Sequence, residues 1–384
     1  MFDHSFFDPV YNRTGTGAIK YNNLTQNTIP MWIADMDFKS PPAVTDALAK
    51  VAQHGIYGYG DTDDEYDSLI VSRYDRRIGW KIEKDQILKI PGVMFGVAAA
   101  IRAVTELNDA VLICQPVYYP FAKIIPANHR KTVVSELALK NGRYEIDFLD
   151  FENKIKREKV KTFLLCSPHN PVGRVWEKEE LIKIAEICLK YGVYIISDEI
   201  HSDFIYPGYK HIPIASLSDE IADRTITCLS PTKTFNLAGL QAANMVVPNK
   251  NLRVRLKKEC ASTGYSHLNI MAVAAAKAAY KHGEEWLEGL LKYLAQNINL
   301  LKNAFPEDAP VSALNIEGTY LAWLDCRNLN LTPSELDDLF LGKAGVWLHN
   351  GHTFGAGGQG FMRMNIACPK SILEKAIQQI HAVI

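Results

Sequence analysis

Between residues 85 and 250 short apolar runs alternate with segments of helical period, and few folds accept that rhythm. The runs are QILKI, AVLIC, TFLLC, VYIIS and TITCLS, and among them lie VMFGVAAAIRAVTEL and ELIKIAEICLK. In ELIKIAEICLK the apolar positions Leu181, Ile184, Ala185, Cys188 and Leu189 share one face of a helix. Strand, helix, strand in this order requires crossover connections, hence a mostly parallel sheet buried on both faces. Ligands of such sheets collect at the carboxyl ends of the strands.

At 384 residues the chain is long enough for two domains. The expected division is a large domain over 46–280 and a small α+β domain from 1–45 and 281–384. The segment 267–304 reads as helices interrupted near Gly283, followed by a strand at Tyr320 to Cys326. A helix opened by Thr332, Pro333 and Ser334, with Glu335 behind, then precedes a glycine-rich loop and the strand-like FMRMNIA. The first 45 or so residues are expected to pack against this tail. No apolar stretch approaches the roughly 20 residues of a membrane span, and the N-terminus lacks a basic segment before an apolar run. A cytoplasmic chain with no membrane partner is the expectation. Lysine plus arginine number 42 against 43 acidic residues, with no basic block, so nucleic acid is not an expected ligand. The seven cysteines form no CxxC pair and lie in apolar runs, which predicts buried reduced thiols and no metal site.

The chemistry gathers where strands end. IPGVMFGVAAAI runs a strand through a glycine into a helix, pointing free N–H groups at an anion. CSPHNPVG ends a strand in an Asn-Pro, which alone reads as a plain turn. IISDEIH places Asp198 directly after an apolar run, where a carboxylate must be hydrated, hydrogen-bonded or paired. SPTKTFNLAG places Lys233 at a strand end among the hydroxyls of Ser230, Thr232 and Thr234. By itself Lys233 reads as a surface residue snorkelling from a strand tip. Together the four supply an anion cradle, an amide, a carboxylate wanting a cation, and an amine. Pyridoxal phosphate requires that set: a phosphate, a phenolic oxygen, a pyridine nitrogen and an aldehyde. The strand-to-helix turn IPGVMFGVAAAI has neither GxGxxG nor GK[ST], so an NAD-dependent oxidoreductase or a nucleotide triphosphatase lacks its main signal there.

The order PGVMFG, PVYYPF, CSPHNPVG, ISDEIH, SPTKTFNLAG and GFMRMN resembles fold-type I pyridoxal phosphate enzymes of the aminotransferase superfamily. More narrowly, MWIADMDF, HGIYGYG, SDEIHSDF, GTYLAWLD and HTFGAGGQGFMRMNIACP resemble the MalY and PatB type of carbon–sulfur lyase, the cystathionine β-lyases of that type, over nearly the whole chain. The resemblance implies an aspartate-aminotransferase-like α/β fold: a mostly parallel, seven-stranded-type sheet sandwiched by helices, plus a smaller α+β domain. It implies β-elimination from L-cystathionine or a related L-cysteine S-conjugate to thiol, pyruvate and ammonia. An aminotransferase and a regulatory binding protein of MalY type are the alternatives.

By the same resemblance Lys233 is the Schiff-base lysine and takes the substrate's α-proton, Asp198 pairs with the pyridine nitrogen, and Asn170 serves the ring hydroxyl oxygen. His201 stands where many aminotransferases use a tyrosine for that oxygen, a histidine merely packed beside the site being the alternative. Tyr118 stacks on the ring and assists catalysis, with Tyr119 its rival. The N–H groups of Val93 and Met94, with Ser230 and Thr232, hold the phosphate, and Gln241 replaces the arginine that many aminotransferases carry eight residues past the lysine. Arg363 clamps the substrate α-carboxylate beside the backbone of Ala34, with Asp35 near it. Tyr59 reaches the phosphate or substrate of the other subunit, which implies a homodimer with shared active sites. Tyr57, Trp323 and His352 are candidates for pocket walls, and the loop GAGGQG reads as a mobile connection.

Overall fold

The structure, a computed structural model, describes residues 2–22, 24 and 27–384. An N-terminal strand, β1 (Ile29–Pro30), stands apart from the large sheet. That sheet is built from β2 (Ile87–Ile90), β3 (Ala110–Gln115), β4 (Lys131–Lys140), β5 (Arg143–Ile146), β6 (Thr162–Cys166), β7 (Tyr194–Asp198), β8 (Thr225–Leu229) and β9 (Ala243–Val246). Their spatial order is β2-β9-β8-β7-β6-β3-β4-β5. The run from β8 to β4 is parallel throughout, whereas β9 lies antiparallel to both its neighbours. The expected seven strands are there, and an eighth, β5, extends the edge by folding back on β4 as an antiparallel hairpin.

The strands read as unbroken apolar runs because each face of the sheet is covered. In β3, Ala110, Leu112 and Cys114 enter one core cluster with Leu181, Ile184, Ala185 and Cys188 of the helix Lys178–Lys190. The alternate residues Val111 and Ile113 enter another cluster with Val97, Ala100 and Ile101 of the helix Val93–Val104. Alternation along the strand thus sorts side chains between two helix layers rather than between core and water.

The tail holds a smaller antiparallel sheet. Its strands are β10 (Ser312–Ala313) and β11 (Leu321–Asp325), then, past β12 (Val346–Trp347), β13 (His349–Asn350) and β14 (Phe361–Asn365), ordered β10-β11-β14-β13. β12 pairs in parallel with β1 instead. The N-terminal segment is fastened here: Asn365 donates from Nδ2 to the carbonyls of Ile33 (2.7 Å) and Asp35 (2.8 Å), and its N–H to that of Met31 (2.8 Å). The helices Ile270–His282 and Glu284–Ala304 meet at Gly283, where a Cβ would run into Phe235 and the carbonyl of Ala279. Thr332 and Glu335 form a reciprocal capping box on the helix Pro333–Asp337.

The glycine-rich loop is closely packed at Gly355 and Gly358. A Cβ on Gly351 would meet the carbonyl of Gly358, and one on Gly355 would meet the Gln115 side chain, so these glycines allow close packing beneath the sheet edge. Among the described residues no helix is long and apolar enough to cross a membrane.

Candidate active site

Five strands of the large sheet deliver the candidate residues from their carboxyl ends. β2 runs through Pro91 and Gly92 into the helix Val93–Val104, whose first N–H groups have no side-chain cap. β3 leads to Tyr118, β6 to Asn170, β7 ends on Asp198, and β8 leads to Lys233 on the one-turn helix Pro231–Thr234. Ser230 caps that turn by accepting the N–H of Thr232 at 3.0 Å, and this turn carries Lys233 off the strand end. A cavity of about 450 Å³ lies over these ends, of the size ordinarily used for cofactors and small substrates.

The cavity brings together Val93, Met94, Tyr118, Asn170, Asp198, His201, Thr232, Lys233, Ala34 and Arg363 from the sequence reading. Lys233 donates from Nζ to the Ala34 carbonyl at 2.6 Å, and Tyr320 donates its hydroxyl to the same oxygen at 3.2 Å. Burial above all pushes the Lys233 amine down to about 8, Arg363 adding to the effect while Asp35 and Asp198 oppose it. The amine is then mostly protonated near neutrality, with a minority uncharged and available as a nucleophile or base, a larger share than an ordinary lysine provides.

Asp198 is only 4 % exposed and accepts one hydrogen bond, from the Ile200 N–H at 3.1 Å. Burial pushes its carboxyl up to about 7, with Glu199 adding and Lys233 opposing. This is a carboxylate without a matched cation, so a protonated ring nitrogen would relieve its desolvation.

Arg363 lies on β14, 2 % exposed, and reaches across to Asn170 Oδ1 from Nη1 at 2.9 Å and to the Trp32 carbonyl from Nη2 at 2.8 Å. Burial lowers it to about 10, so it remains charged at neutral pH, and its Nε has no protein partner among the described residues. His201 is buried with its Nδ1 likewise unpartnered and its ring edge-on to Tyr320 at 5.8 Å. Burial, then Lys233 and Arg363, push it down to about 3, so it is a neutral imidazole.

Other expected residues fall differently. Ser230 stands behind the lining, its hydroxyl donating to the Ala242 carbonyl at 2.7 Å and 2.6 Å from that of Thr232. Gln241, in a left-handed backbone conformation (φ 56°), lines the cavity. Tyr118 and its rival Tyr119 both line it. Asp35 is paired with Arg13 at 2.8 Å. Tyr59 lies outside the cavity, fully exposed, as Tyr57 also is to a large degree. Trp323 is no pocket wall: it is buried in the core, stacked on Phe361 and donating to the Tyr144 hydroxyl. His352 is absent from the lining as well.

Among the lining residues not singled out from sequence are the aromatic Trp32, Phe95 and His349. His349 arrives because β13 pairs with β14 in the register His349↔Arg363, a two-residue strand with no periodicity to betray it. Trp32 could have been found, since its neighbour Ala34 was already placed at the site.

A family model described as aminotransferase class I and II matches residues 26–380. The chain is 39% identical to the cystathionine β-lyase PatB of Bacillus subtilis (strain 168), over 98% of this chain and 99% of that protein. Among solved structures it is similar to cystalysin from Treponema denticola, which contains a pyridoxal 5′-phosphate cofactor, with a TM-score of 0.96, 36% identity, and coverage of 100% and 99%. It is also similar to the PLP-bound C–S lyase from Staphylococcus hominis, with a TM-score of 0.90, 33% identity, and coverage of 98% and 97%.

Proposed function

The chain belongs to the aminotransferase class I and II family, and on that premise we propose that it is a pyridoxal phosphate-dependent carbon–sulfur β-lyase acting on L-cystathionine or related L-cysteine S-conjugates. The observation that carries this is the meeting of Lys233, Asp198, Asn170 and Arg363 in one cavity at the strand ends. The residues fit the cofactor: a buried carboxylate held near 7 awaits a cation, and His201 carries a buried nitrogen with no protein partner. The relatives named cystathionine β-lyase and C–S lyase support elimination rather than amino transfer.

When bound, pyridoxal phosphate supplies an aldehyde that bonds amines and a ring that withdraws electrons from the substrate α-carbon. Asp198 would keep the ring nitrogen protonated, and Asn170, with His201 beside it, would serve the ring oxygen. The Val93 and Met94 N–H groups hold the phosphate together with Thr232, and Ser230 orients the Thr232 hydroxyl. Tyr118 would stack on the ring, and Arg363 would receive the α-carboxylate, its planar fork suited to two oxygens. With the cofactor bound, Lys233 would be placed to take the substrate's α-proton at Nζ and to deliver protons later in the cycle. The Cβ–S bond then breaks, the thiol departs, and water converts the remaining fragment to pyruvate and ammonia.

The exposed Ile56, Tyr57 and Tyr59 support a homodimer in which Tyr59 enters the site of a second copy. The free thiols of all seven cysteines support a reducing, cytoplasmic setting. The division into a large domain, 46–280, and a small one, 1–45 with 281–384, belongs to the same proposal.

Purified holoenzyme given L-cystathionine and no keto acid is expected to release pyruvate, ammonia and thiol in equal amounts. Turnover only after a keto acid is added would instead make it an aminotransferase. Arg363→Ala is expected to lower kcat/KM by about a hundredfold, mostly through KM, with the visible absorbance of the bound cofactor retained. A variant with wild-type KM would remove Arg363 from carboxylate binding.

A further inference from the structure

The charge inventory of the cavity singles out one kind of S-conjugate. Its lining holds two side chains that are cationic near neutrality, Lys233 and Arg363, and one carboxylate, Asp198. In the lyase reading, on which this inference rests, all three are engaged by parts every substrate shares: the cofactor aldehyde, the α-carboxylate and the ring nitrogen. Among the described residues no other side chain charged near neutrality lines the cavity, and Lys123, 5.0 Å over the Tyr119 ring, lies outside the lining.

The wall beside Arg363 is neutral and aromatic. Trp32, whose carbonyl accepts from Arg363 at 2.8 Å, is stacked on Trp347 at 4.8 Å and 19° and so presents a fixed face. His349 Nδ1 lies 3.3 Å from the same guanidinium, and its ring is 5.2 Å from that of Tyr119. Burial, with Arg363 next, pushes His349 down to about 3, so it too is neutral. Met94 and Phe95 complete the apolar lining. The segment proposed to enter from a second copy carries Tyr57 and Tyr59, and of the acids that follow it Asp63 and Glu65 are paired with Lys277, Asp64 with Lys84, and Asp61 lies 3.7 Å from His267.

We propose that the enzyme prefers L-cysteine conjugates whose S-substituent is uncharged and apolar over those, L-cystathionine included, whose S-substituent ends in a carboxylate or ammonium. An apolar substituent gains by leaving water for this wall, roughly in proportion to its area. A charged terminus loses hydration there and finds no partner. The reaction balances without any co-reactant except water. The α-proton is removed, the Cβ–S bond breaks with its electron pair going to sulfur, and R–S–CH2–CH(NH3+)–COO− plus H2O gives RSH, pyruvate and NH4+.

The test compares S-propyl-L-cysteine with S-(2-carboxyethyl)-L-cysteine, which are matched in length and carry similar leaving thiols, with L-cystathionine as a third substrate. Pyruvate release by the holoenzyme without keto acid gives kcat/KM for each, and calorimetry on Lys233→Ala loaded with cofactor gives Kd without turnover. We expect S-propyl-L-cysteine to lead both charged substrates by at least about tenfold in kcat/KM, and the carboxyethyl conjugate by a similar factor in Kd. Equal or better use of either charged substrate overturns the preference while leaving the lyase in place. Pyruvate from none of the three, or only with an added keto acid, overturns the lyase reading and the preference with it.

Discussion

Lys233→Ala is expected to lower lyase turnover by a factor on the order of 10⁴ or more and to abolish the visible absorbance of covalently held cofactor. No other single change removes as much, because one amine performs two tasks. In the proposed function it would both anchor the cofactor and take the substrate's α-proton. Its setting suits both: it is held on the Ala34 carbonyl at 2.6 Å and is pushed down to about 8 from an ordinary 10.5. The folded variant is expected to bind cofactor reversibly, and small primary amines are expected to restore part of the rate. Turnover within tenfold of wild type, about 1.4 kcal/mol of barrier, would remove Lys233 from the chemistry.

Asp198→Asn is expected to act in opposite directions on the loaded and the cofactor-free protein. In the holoenzyme the loss of the carboxylate leaves the ring nitrogen without its counter-ion, and activity is expected to fall by roughly two to three orders of magnitude. In the cofactor-free protein the same carboxylate is a burden. Its folded value of about 7 lies above the ordinary 3.8, so between those pH values the folded chain binds more protons than the unfolded one. Stability from this group is therefore present at low pH and declines as pH rises through that window. Asparagine does not titrate. The cofactor-free variant should thus melt above the wild type, by a margin larger at about pH 8 than at about pH 5. A variant that melts lower at both pH values would mean that the Asp198 carboxylate stabilises the empty site.

The residues whose chemistry is set by the backbone were legible in sequence. Lys233, Asp198 and Asn170 each follow an apolar run that could only be a buried strand, and a parallel sheet takes all such ends to one edge. The helix break at Gly283 and the capping box at Thr332 were equally local, since each is decided by a few neighbouring residues. What sequence hid was assembled at long range. β5 exists because β4 turns back on itself, and β9 because a short run inserts between β8 and β2 with reversed direction. His349 reaches the site through a two-residue pairing with β14, and Tyr320 through the hydroxyl it shares with the Ala34 carbonyl. Trp323 misled because an aromatic in an alternating strand has two faces to choose from, and the choice depends on the sheet's neighbours. The glycine-rich loop hid a packing role in the same way, since glycines that allow close backbone approach leave the same trace in sequence as flexible ones.

The claim on which the rest depends is that this cavity holds pyridoxal phosphate on Lys233. Borohydride reduction of the holoenzyme fixes the cofactor to the amine that carries it, and peptide mass mapping then locates it. The expected result is one phosphopyridoxyl group per chain, on the peptide containing SPTKTFNLAG, at Lys233. Modification of a different lysine, or no fixed cofactor in protein that is otherwise active, would contradict it.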